Sequence, residues 1–130
     1  MKNILPKIFV LSALFTTGAY AEMTPLQKNI KDVMQMEHRT DADKKRDRNR
    51  TPVQALNFFG FEQNMKVIEF APGGGWYTKI LAPLLEKKGE LHLAYKSEWL
   101  DNMDPLLSKK GFKSAVKLPI ELSWNNEEYK

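Results

Sequence analysis

The sequence predicts an α/β chain built on parallel strands. Three observations predict it: two short apolar runs of strand character at Lys66–Phe70 and Glu90–Tyr95, helical patterns before, between and after them, and connections of only a few residues. Strands that alternate with helices across short turns run parallel, with right-handed crossovers. A weaker strand is expected at Ser114–Leu118, which brings the sheet to about three strands.

The chain has 130 residues, room for a single domain. Residues 1–21 read as a cleavable secretory leader of the Sec type: Lys2 and Lys7 form the basic start, Ile8–Phe15 the apolar stretch, and Ala19-Tyr20-Ala21 the cleavage site before Glu22. Spanning a bilayer takes about 20 apolar residues, and Pro6 and Thr16-Thr17 cut this run shorter. A periplasmic or secreted protein with no stable membrane span after cleavage is therefore expected. The absence of cysteine removes both a lipid anchor and a disulfide framework, so the fold rests on its apolar core.

The 20 basic and 16 acidic side chains give a net charge of +4, and two of the basic ones, Lys2 and Lys7, fall in the leader. So small a surplus does not argue for nucleic acid. The two histidines, His38 and His92, offer no metal-ligand spacing without cysteine. His92 alternates with Leu91 and Leu93 and reads as a strand residue.

Residues 22–60 form a helical segment ahead of the sheet. Thr24-Pro25-Leu26-Gln27 is a helix start: Thr24 caps, Pro25 occupies the first turn and Gln27 closes a capping box. Leu26, Ile30, Val33 and Met34 then share one face to about Glu37. Arg39–Arg50 is almost wholly charged and reads as a solvated linker or a short helix laced with i,i+3 and i,i+4 pairs. Thr51-Pro52-Val53-Gln54 repeats the start signal, and the next helix should turn Val53, Leu56 and Phe59 inward and end at Gly60.

Residues 61–130 hold the sheet unit. Lys66–Phe70 reads as a buried strand, and Ala71-Pro72-Gly73-Gly74-Gly75 is the turn after it. From Trp76 the chain should be helical, with Tyr77, Ile80, Leu81, Leu84 and Leu85 on the core face, a kink at Pro83 and a stop at Gly89. After the second strand a helical stretch is expected from Glu98 to Lys110, restarted at Asp104-Pro105 and closed by Gly111. Ile120–Lys130 is a short polar tail.

The chemistry concentrates at the first turn. Glycines there permit positive φ and let a ligand lie against the backbone, and the following helix aims free N–H groups and its positive end at the same spot. In open α/β sheets ligands bind at such carboxyl edges. Glu69 adds an acceptor for an ammonium or hydroxyl group. A ligand with polar amino or hydroxyl groups and a flat base fits this set. A phosphate-binding P-loop is excluded, since no Gly-Lys-Ser/Thr follows.

Val67-Ile68-Glu69-Phe70-Ala71-Pro72-Gly73-Gly74-Gly75 resembles the first motif of class I S-adenosylmethionine-dependent methyltransferases. With Trp76-Tyr77-Thr78 and Ile80-Leu81-Ala82-Pro83 after it, and with Asp47-x-x-Arg50-x-Pro52 and Phe58-Phe59-Gly60 before it, the chain is similar to a branch of exported predicted methyltransferases from Glu22 to about Leu100. The resemblance implies the N-terminal part of a Rossmann-like sheet and S-adenosyl-L-methionine as cofactor. It implies that Glu69 meets the methionine amino group and that Gly73 and Gly75 admit the methionine and ribose portions. Ala71, Gly74 and Trp76 complete the cofactor-binding set, and Asp47 and Arg50 become candidates for the cleft mouth.

Two departures accompany the resemblance. Ala71 stands where the motif has its first glycine, and Lys96 stands where the ribose-binding acid ends the second strand, with Glu98 two residues beyond. Lysine has no acceptor for a ribose diol. The family's sheet is also longer than this chain supplies, so the sequence is expected to be the cofactor half of a truncated protein. Catalytic residues and the methyl acceptor are not assigned. The alternatives are a small exported α/β module that binds a nucleoside or anion, and an inactive remnant; an uncovered sheet edge further suggests self-association.

Overall fold

The computed structural model describes residues 22–121; the segment read as a secretory leader and the residues from 122 on lie outside the described residues. α1 (Pro25–Met34) begins as its sequence dictates. The Gln27 N–H donates to the Thr24 hydroxyl at 3.2 Å, and the Thr24 N–H donates to the Gln27 side chain at 3.0 Å. The helix stops at Met34, short of Glu37, because the next amides bond three residues back: Gln35 to Asp32 and Met36 to Val33. That tightening turns the chain into the loop before α2.

α2 (Asp41–Arg50) is a regular helix, closed at its start by a capping box between Thr40 and Asp43. The i,i+3 and i,i+4 pairs expected along it are replaced by ion pairs to other elements: Arg39 with Asp47, and Lys79 of the later helix with Asp43. α3 (Pro52–Phe58) follows at once. Thr51 does not cap it. It already ends α2, with its N–H bonded to Asp47 and its backbone left-handed at φ 39°, so its hydroxyl caps nothing.

α3 ends at Gly60 as expected. Gly60 at φ 64° lets the Phe61 N–H reach the Leu56 carbonyl at 2.9 Å and its own N–H reach Asn57 at 3.1 Å, the paired bonds of a Schellman motif. Leu56 and Phe61 are buried together, whereas Phe59, expected inward, is 77% exposed. The Schellman turn fixes the end of α3 with Leu56 on the core side and Phe59 outside it.

The sheet has three parallel strands, β1 (Lys66–Phe70), β2 (Glu90–Tyr95) and β3 (Ala115–Pro119), in the order β1-β2-β3. Ile68 pairs with His92, and His92 with Val116. α4 (Thr78–Leu85) joins β1 to β2; α5 (Ser97–Asp101) and α6 (Asp104–Leu107) lie between β2 and β3. The chain is thus α/β with an open parallel sheet flanked by helices, the arrangement of the N-terminal part of a Rossmann-like sheet. The helix expected over Glu98–Lys110 is two short helices, broken at Asn102-Met103 ahead of Pro105.

Regular helix in α4 starts at Thr78 rather than Trp76. Pro83 inside it removes the bond that would reach Lys79, and the freed Lys79 carbonyl accepts from His38 Nε2 at 2.7 Å. His38 also packs edge-on against Phe112, which gives it a structural task. Gly89 closes the helix because nothing larger fits: a Cβ there would lie 2.6 Å from the Met65 carbonyl oxygen.

One core joins the N-terminal helices to the sheet. Ile30, Val33 and Leu56 are buried in the same cluster as Ile80, Leu85, Leu91, Leu93 and Leu100. The opposite face of the sheet is open. β1, expected to be buried, is an edge strand with Ile68 65% and Phe70 61% exposed, and Val116 and Leu118 of β3 extend the same surface. Alternating burial along β1 shows the cause, since helices cover only one side of it.

Candidate functional site

β1 delivers Glu69 and Phe70 to the carboxyl edge of the sheet, and the backbone then reverses over Ala71–Gly75. Ala71, Gly73 and Gly75 all take positive φ, at 51°, 56° and 71°. For Ala71 that conformation costs about 1 kcal/mol that glycine would not lose. The turn is held by the Ala71 N–H on Ala94 of β2 at 3.0 Å and the Gly75 N–H on Pro72 at 2.9 Å.

The predicted glycines divide between two tasks. Gly73 and Gly74 line a cleft of about 420 Å3, and a Cβ at Gly74 would meet open space. Gly75 is turned the other way. A Cβ there would come within 2.9 Å of Met103 and Leu106, so this glycine seats the turn against the segment around α6.

The cleft also takes in Glu69, Ala71, Trp76 and Tyr77. Glu69 Oε2 accepts from the Thr78 hydroxyl at 2.7 Å. Burial pushes its carboxyl up to about 7, and the Thr78 hydroxyl and N–H oppose that shift without cancelling it. A half-buried carboxylate whose donors both come from Thr78 has acceptor capacity left for a cation.

α2, the charged run that read as solvated, supplies another part of the cleft wall. Asp43, Arg46 and Arg50 line the cleft. Trp76 is buried, and its indole N–H donates to the Asp43 carbonyl at 2.9 Å. The Arg50 guanidinium lies 4.7 Å from the Trp76 ring centre and 5.8 Å from that of Tyr77. Burial works against the charge on Asp43, but the Lys79 ammonium at 2.7 Å and the Thr40 N–H and hydroxyl outweigh it and hold the carboxyl below its usual range.

Arg50 therefore stands at the cleft, as the resemblance implied, and Asp47 does not. Asp47 is engaged by the buried Arg39, whose two terminal nitrogens donate to its oxygens at 2.9 and 2.6 Å. Lys96 is exposed at the start of α5, and neither it nor Glu98 lines the cleft. Sequence reasoning missed Asp43, Arg46, Thr78 and Lys79. A readable signal existed for the first two: Thr40-x-x-Asp43 is a capping-box spacing, and a helix starting there puts Arg46 and Arg50 on one face.

An apolar groove of about 410 Å3 adjoins the cleft along the free edge of β1; Glu69 and Tyr77 line both. A larger depression of about 690 Å3 lies between α1, the end of α2 and α3, away from the turn. Among the described residues no group of three or more His, Asp or Glu side chains is placed to hold a metal, and no helix is long and apolar enough to cross a membrane.

No family model matches the chain, and no match is found among the curated proteins or the solved structures.

Proposed function

We propose that the chain binds S-adenosyl-L-methionine in the glycine-turn cleft and serves as the cofactor-binding unit of an exported methyltransferase. What carries the reading is the coincidence, in one cleft, of a half-buried Glu69 acceptor with glycine backbone that has open space in front of it at Gly74. The cofactor supplies an electrophilic methyl group on a sulfonium. Glu69, Ala71, Gly73, Gly74 and Trp76 would hold its amino-acid end, with Gly75 shaping the turn from behind. Methyl transfer between bound partners rests largely on alignment, and no side chain is given a catalytic role. The acceptor is left open.

Lys96 favours a second reading on a specific ground. With a lysine rather than an acid after β2, the usual acceptor for a ribose diol is missing, and the chain would be a small exported module that binds an anion, or a nucleoside held through groups other than its diol. The open sheet face makes self-association part of either reading.

Calorimetry on the full chain tests the proposal. S-adenosylmethionine should bind one to one in the micromolar range, and Gly74→Leu should abolish the heat without lowering Tm, because Gly74 lines the cleft and a Cβ there meets open space. A folded protein that gives no heat rules the cofactor out, and unchanged binding by Gly74→Leu rules out the glycine-turn cleft as its site.

A further inference from the structure

We infer that Arg46 and Arg50 of α2 form a carboxylate subsite in the same cleft as Glu69, so that the site selects ligands carrying an α-amino-acid group; this rests on the cofactor reading above. The two arginines are four residues apart on one helix face, and both line the cleft. The other charges around them are already matched. Asp43 is paired with Lys79 and Asp47 with Arg39, whereas neither Arg46 nor Arg50 has a carboxylate partner among the described residues.

An unpaired surface arginine is ordinarily just solvated. Arg50 differs because it is half-buried and held. Its guanidinium stacks on Trp76, and Trp76 is fixed to the Asp43 backbone by its own N–H. A cation positioned before the ligand arrives loses little freedom on binding, and a planar guanidinium matches a carboxylate in a fork.

The charge on Glu69 selects among anions. Above about pH 7, where Glu69 is ionised, a phosphate brought to the arginines would meet a second negative charge in the same cleft with nothing to offer it. An α-amino acid presents its ammonium to Glu69 and its carboxylate to α2, and so satisfies both walls with one ligand end. The charged run of α2 is then a recognition helix for that end, clamped to the turn through Trp76 and Lys79.

Binding of three probes to the full chain tests this: S-adenosylmethionine, decarboxylated S-adenosylmethionine and ATP. The wild type should bind the first at least about tenfold more tightly than the second, the value of a charge-assisted contact, and should bind ATP no better than the second. Arg46→Gln and Arg50→Gln should each weaken S-adenosylmethionine while leaving the decarboxylated probe almost unchanged. Arg46 is exposed, so its replacement should leave Tm unaltered and keep the comparison sound if Arg50→Gln unfolds. Equal binding of the first two probes overturns the subsite and leaves the cofactor reading standing. ATP binding as tight as S-adenosylmethionine assigns the arginines to phosphate and overturns it too. No binding of any probe by folded wild type overturns both.

Discussion

Glu69 is the residue whose chemistry the fold alters most. In the folded chain it keeps its proton up to about pH 7, against a reference value of 4.5. Between those two pH values the folded state holds more protons than the unfolded one, so stability falls as pH rises and the loss is complete above about 7. The full effect is about 3 kcal/mol at most. Glu69→Gln should remove it: in urea titrations from pH 4 to 8 the variant should gain on wild type as pH rises. A constant difference would place Glu69 in water. Ligand binding should run the opposite way and tighten through the same range, because an ammonium needs the ionised acid. The acid's position was legible from Val67-Ile68-Glu69 ahead of three glycines. Its burial was not, since that depends on the helices packed against β1. Gly75 was equally opaque, because what it avoids, Met103 and Leu106, is decided by the later turn around α6.

At the scale of elements, α2 is bound to the rest of the molecule by charge rather than by apolar area. Arg39 is 3% exposed, donates to the Met34 carbonyl and both Asp47 oxygens, and leaves only its Nε without a partner. Removing one member of a buried pair leaves the other charged and unmatched, at about 3–5 kcal/mol. Asp47→Ala should therefore cost roughly that much in a denaturant melt, and it should weaken cofactor binding as α2 loosens. A change below about 1 kcal/mol would make the pair a surface contact. The strands Lys66–Phe70 and Glu90–Tyr95, the cap at Thr24 and the stop at Gly60 were readable because each is set by neighbours within a few residues. α2 was not readable as a wall of the site, because the groups that hold it, Trp76 and Lys79, lie more than thirty residues on in sequence. Thr51 failed as a cap for a local reason: one residue cannot end α2 in a left-handed turn and also cap α3.

On the whole molecule the helices cover one face of the sheet and leave Ile68, Phe70, Val116 and Leu118 exposed on the other. Exposed apolar surface of this kind, interrupted at His92 of β2, favours association, and β1 adds an unpaired edge beside it. The full chain should self-associate with rising concentration in sedimentation velocity, and Ile68→Lys with Val116→Lys should shift it toward monomer. A wild type that stays monomeric at high concentration contradicts this. Hydrophobic periodicity predicted β1 correctly as a strand but could not tell a covered face from an open one. The reading that unites these scales is that helix α2 and the glycine turn close on one amino-acid-bearing cofactor. Its most direct test is amide chemical-shift mapping on the full chain with S-adenosylhomocysteine. The account predicts that the largest shifts fall on residues 69–76, on the Trp76 indole N–H and on α2 around Arg46 and Arg50. Shifts confined to the depression between α1 and α3, or none at all, would contradict it.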